Sequence, residues 1–107
     1  MSVSAATHYG GSASAHSMVA DRTLVPGSSR LQVLNPDAGR TVNMPDARKL
    51  KPGRSFVIVN VSANSLDLDD AGGTLVKALA ATKGAICHLI ENATAAGRWG
   101  IAIRSIL

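Results

Sequence analysis

Aromatic side chains are almost missing from this chain: Tyr9, Phe56 and Trp99 are all it has among 107 residues, although 46% of the sequence is apolar. A core must therefore be built from Val, Ile, Leu and Ala. That suits a narrow sandwich, or a subunit that completes its core against copies of itself. A deep ligand pocket, whose walls commonly use rings, is not expected. Cysteine occurs once, so within this sequence no disulfide and no cysteine metal site can form. The run Ile86-Cys87-His88-Leu89-Ile90 reads as a buried strand, with Cys87 as a small core hydrophobe rather than a reactive thiol. No stretch approaches the ~20 apolar residues that span a bilayer, so no membrane partner is expected. Charge is missing from the first twenty residues, which hold no Asp, Glu, Lys or Arg. With no basic residue before Arg22 and no compact apolar run after Met1, no export signal is read, and synthesis in a reducing cytoplasm is expected.

What is present is a net charge of +4, from eleven Lys and Arg against seven acids. The basic residues are scattered except for Arg48, Lys49, Lys51 and Arg54, which could meet an acidic partner surface. Nucleic-acid binding would want a concentrated basic face with aromatic stacking residues, and it is not expected here.

Organisation divides at residue 22. Residues 1–22 are Ser, Ala, Gly and Thr with His8, Tyr9, His16, Met18 and Val19 interspersed, without helical or strand period. Such a segment buries too little apolar surface to offset its ordering entropy, and it reads as a flexible arm. Tyr9, Met18 and Val19 are its side chains with most to bury on a neighbour. Residues 23–107 instead show short apolar runs broken by turn residues. Thr41, Val42, Asn43 and Met44 alternate up to Pro45, and Phe56 to Val61 is β-branched and apolar on both faces, which makes it the central strand. Ser62-Ala63-Asn64 predicts a hairpin into Ser65–Asp69, where Leu66 and Leu68 point inward. Further strands are expected over 74–79, 85–91 and 98–104. About eight short strands at close spacing predict an all-β fold, a small antiparallel β-sandwich or barrel of jelly-roll type with a flexible N-terminal arm.

No catalytic, cofactor-binding or metal-binding residue is assigned, and the chain is not expected to be an enzyme. Hydrolytic chemistry needs a nucleophile, a base and an orienting group held together. His8 and His16 lie in the arm, and His88 shares a strand face with Ile86 and Ile90, which reads as a core or subunit-interface position together with Phe56, Ile58 and Trp99. Asp67 and Asp69 share one strand face about 7 Å apart, with Asp70 in the turn, too few oxygens for the six to eight that Ca²⁺ takes. Gly72-Gly73 lacks the Gly-Lys-Ser/Thr that would cradle a phosphate. Asn60-Val61-Ser62 and Asn92-Ala93-Thr94 match glycan acceptors but read as turns.

One set of motifs points further. Gly39-Arg40-Thr41-Val42-Asn43-Met44-Pro45-Asp46-Ala47, then Leu50-Lys51-Pro52-Gly53-Arg54-Ser55-Phe56-Val57-Ile58-Val59-Asn60, then Ser65-Leu66-Asp67-Leu68 and Asp70-Ala71-Gly72-Gly73, resembles small β modules of tailed-phage virion proteins. Glu91 to Trp99 resembles the closing hairpin of such a module. The resemblance implies a bacteriophage structural protein: a capsid decoration (cement) protein, a homotrimer on the capsid surface that binds the major capsid protein and stabilises the shell. The alternative use of such modules is the tip or base of a head or tail fibre that binds a receptor or glycan. The chain has no heptads, collagen-like repeat or shaft, which favours the cement role. Tyr9, Met18, Val19, Arg48, Lys49, Lys51 and Arg54 are the expected contacts with that partner.

Overall fold

The computed structural model describes residues 13–105, with side chains from His16 onward. Among the described residues nine strands form two sheets, and the one helical feature is a 3-10 turn, Ala47–Lys49. The strands are β1 (Ala13–Met18), β2 (Arg22–Thr23), β3 (Leu31–Pro36), β4 (Arg40–Asn43), β5 (Ser55–Asn60), β6 (Leu66–Asp69), β7 (Leu75–Leu79), β8 (Lys83–Glu91) and β9 (Arg98–Ser105). One sheet has the order β1-β3-β5-β8-β9 and the other β2-β4-β6-β7. The all-β, two-sheet architecture expected from the sequence is the one observed.

The pairing differs from the expected antiparallel one. The first six strands alternate between the sheets, and each of the first four pairs in parallel with the strand two places on: β1 with β3, β2 with β4, β3 with β5, β4 with β6. The chain therefore winds as stacked coils, with Leu31 beside Ala13 and Val57 beside Leu31. Only the last third reverses: β7 runs antiparallel to β6, β8 to β5 and β9 to β8.

Asn60 accounts for much of this. The expected hairpin after β5 is instead a corner that carries the chain from one sheet to the other. The Asn60 side chain is fully buried; its Nδ2 donates to the carbonyls of Asn64, Leu79 and Ala80, and its Oδ1 accepts from the Ser62 amide and hydroxyl. Asn64 Nδ2 donates to the Pro36 carbonyl of the preceding coil. Buried polar groups need such partners, and this set satisfies a bend that no ladder could.

Residues 13–18 are a second correction. They lie in the sheet as β1, and β2 follows, so the ordered module begins before residue 23. A strand laid along β3 obtains its hydrogen bonds from that neighbour, which removes the need for a period of its own. Met18 is 4% exposed and belongs to the core. That core lies between the sheets, built from Leu34, Val42, Phe56, Ile58, Leu66, Leu68, Leu79, Cys87 and Leu89. Its aliphatic make-up follows the composition, and it holds the ring pair of Phe56 with Trp99, centroids 6.3 Å apart.

Candidate functional site

The expected contact residues do not form one surface. Tyr9 lies outside the described residues. Met18 points into the core, while Val19 next to it is 75% exposed. Phe56 and Ile58 are fully buried, and Trp99 is buried with its indole N–H donating to the Ala96 carbonyl. His88 is not a core residue: it is exposed, on the outer side of β8, with Cys87 and Leu89 on the inner side, so of the core and subunit-interface positions expected for it only the first is corrected. Its ring lies against Gly100 on β9, so close that a Cβ there would meet ring atoms. The apolar residues on both sides of β8 gave no phase from which to choose.

The four basic residues occupy the corner between β4 and β5, in three different environments. The Arg48 guanidinium is tied to Asp46, with Nη2 2.8 Å from Oδ2. Asp46 also accepts from the Arg48 amide as the N-cap of the 3-10 turn, and the arginine beside it holds its carboxyl down at about 2. Arg54 lies over the Phe56 ring, 4.6 Å from its centroid, and donates to the carbonyls of Pro26 and Ser28. It braces two loops and is not spare for a partner. Lys49 and Lys51 are exposed. An open groove of about 300 Å³ between Pro26, Pro45, Asp46 and Ala71 is lined by Lys49.

This corner is bound to the closing hairpin. Ala47, fully buried, donates its amide to the Ala95 carbonyl, and Asn92 Nδ2 donates to the Leu50 carbonyl. The Gly53 amide donates to Leu89 and the Leu89 amide to Arg54. Gly97, at φ +67°, packs against Ala47 so closely that no Cβ could fit between them. The motif Pro45 to Arg54 and the motif Glu91 to Trp99 are thus one packed unit.

Chemistry is sparse on this framework. Burial pushes the Cys87 thiol up to about 12, which leaves it an inert core side chain. Asp67 and Asp69 point outward from β6, and burial together with the charges of Asp67, Asp70 and Asp21 raises the Asp69 pKa. Among the described residues no group of three or more His, Cys, Asp or Glu side chains is placed to hold a metal ion. Nor is any helix there long and apolar enough to cross a membrane. Sequence reasoning missed Asn60 and Gly97, the two residues that fix the corners; an Asn closing an apolar strand, and a Gly two residues before Trp99, were the available signals. Compared with protein-family models, with curated proteins and with solved structures, the chain has no match.

Proposed function

We propose that this chain is a structural component of a tailed-phage particle, a capsid decoration protein that assembles as a homotrimer, binds the major capsid protein and stabilises the shell. The observation that carries the reading is the interlock just described. Two of the stretches on which the resemblance draws, Pro45 to Arg54 and Glu91 to Trp99, are joined by the Ala47 amide donating to the Ala95 carbonyl, by Asn92 Nδ2 donating to the Leu50 carbonyl, and by the contact of Gly97 with Ala47. They behave as one structural motif rather than two chance runs of turn residues. The capsid-facing element is the corner that this unit holds out, with Lys49 and Lys51 as its exposed cations and the adjoining groove as a seat for an acidic loop.

The test uses undecorated shells. Lys49→Glu together with Lys51→Glu is expected to lower the fraction of protein retained after washing, with the free protein's fold unchanged. Wild-type protein that fails to bind shells at all overturns the decoration reading. A double variant that binds as wild type moves the contact away from this corner.

One observation favours a second reading, the tip or base module of a phage fibre. Parallel coils are a plan in which each turn contacts mainly its neighbours, and it can be extended turn by turn. Copy number in the particle separates the two.

A further inference from the structure

The end of the core that β1 and β2 close is polar. Met18, Leu34 and Val42 face the space between the sheets. Alternation and register put three polar side chains on the same side. His16 stands two residues before Met18 and beside Leu34, Gln32 stands two residues before Leu34, and Arg22 pairs with Val42. Arg22 Nε donates to Gln32 Oε1 at 3.2 Å, and the fully buried Gln32 donates through Nε2 to the Ser29 carbonyl at 2.8 Å. His16 differs from both: its Nε2 is buried and has no hydrogen-bond partner among the described residues.

A neutral imidazole tolerates that position, because Nε2 can keep a bare lone pair while Nδ1 holds the proton. An imidazolium does not. It must place an N–H at Nε2 with no acceptor, and a positive charge near Arg22. Burial, and after it the Arg22 charge, accordingly lower the His16 pKa. The neighbouring elements supply nothing to offset these effects. On β3 the facing residues Gln32, Leu34 and Pro36 are uncharged, and on β4 the cation Arg40 is tied to Asp37. Asp21, between β1 and β2, accepts from the Thr41 amide. β1 and β2 are also the end strands of their two sheets, so they can detach without unpairing any later strand. We propose that this first coil is a latch that protons weaken: protonation of His16 loosens β1 and β2 from β3 and β4 while the later coils stay folded. The latch is at full strength above the ordinary histidine value and weakens as pH falls through it, because the folded state holds His16 neutral. Opening withdraws Met18 from the core and bares the edge of β3.

Amide hydrogen exchange of the full chain reads the opening, at about pH 7.5 and about pH 5.5 and corrected for the intrinsic exchange rate. The internal control is β9, the end strand at the opposite side of the same sheet. Protection of the β1 amides is expected to fall about threefold or more at the lower pH, with β9 unchanged, and His16→Gln to abolish the fall. An undiminished β1 in wild type, an equal fall along β9, or the same fall in His16→Gln overturns the latch. If His16→Gln leaves β1 unprotected at both pH values, proton NMR titration of the wild-type protein decides. A His16 ring that titrates below about 6.5, in step with the loss of β1 protection, supports the latch. A midpoint at or above that value overturns it.

Discussion

Gly97→Ala separates two costs that glycine substitutions usually mix. At φ +67° an L-residue carries a backbone penalty of about 1–2 kcal/mol. The new Cβ would also overlap the Ala47 Cβ and stand 3.0 Å from the Glu91 carbonyl oxygen and 3.1 Å from a Leu89 methyl. Two of these neighbours are core side chains and one is backbone, so none can swing away. Overpacking of this kind costs about 1–3 kcal/mol, for a total of about 2–5 kcal/mol. Gly53→Ala is the control: its φ is +93°, but nothing lies within 4 Å of the Cβ position, so only the backbone part applies. Urea unfolding of both variants is expected to show Gly97→Ala the more destabilised by about 1–3 kcal/mol, with unchanged m-values. Adding Ala47→Gly to Gly97→Ala should return part of the loss, though not the part due to the Glu91 carbonyl. Equal costs for the two alanine variants, or strict additivity with Ala47→Gly, would refute the claim that the β4–β5 corner and the closing hairpin are packed as one unit.

Asn60→Ala takes the acceptor from the Ser62 amide and the shared donor from the Asn64, Leu79 and Ala80 carbonyls at a buried corner, and chemical unfolding should show a loss of about 2–4 kcal/mol, larger than for any exposed Asn. Deleting residues 1–22 removes β1 and the buried Met18 as well as the terminal segment, so the melting temperature should fall, by the equivalent of about 2–5 kcal/mol or more. Asp69 and Asp46 give opposite pH dependences. The folded pKa of Asp69 is raised, so its ionisation costs the folded state stability as pH climbs above its ordinary value; Asp69→Asn should gain under about 1 kcal/mol at pH 7 and nothing in acid. Asp46 is depressed to about 2, so its contribution is present above the ordinary carboxylate range and is lost as pH falls towards 2; Asp46→Asn should lose stability at pH 7 but not in strong acid. Melts across pH check both signs.

Strand positions were legible because β-branched runs end at Pro, Gly and Asn; β5, β6, β8 and β9 lie within two residues of where those runs stand. Which strands would pair was not. A three-residue polar link such as Ser62-Ala63-Asn64 can close a hairpin between strands about 4.8 Å apart or cross between sheets about 10 Å apart, and the choice here is made by the inward Asn60 side chain. Residues 13–18 gave no sign of order because their strand is stabilised by pairing with β3, a contact distant in sequence. The basic corner was legible as a cluster, but not its division: that Arg48 is taken by Asp46 and Arg54 by two loop carbonyls depends on turns that composition does not encode.

The central claim, a shell-bound subunit, is tested most directly by counting copies of this protein in purified virions by quantitative mass spectrometry against the major capsid protein. A decoration protein on symmetry-repeated sites should be present on the order of hundreds of copies per particle, in fixed ratio to the capsid protein. A handful of copies would contradict the decoration role in favour of the fibre module, and complete absence from the particle would contradict a virion role of either kind.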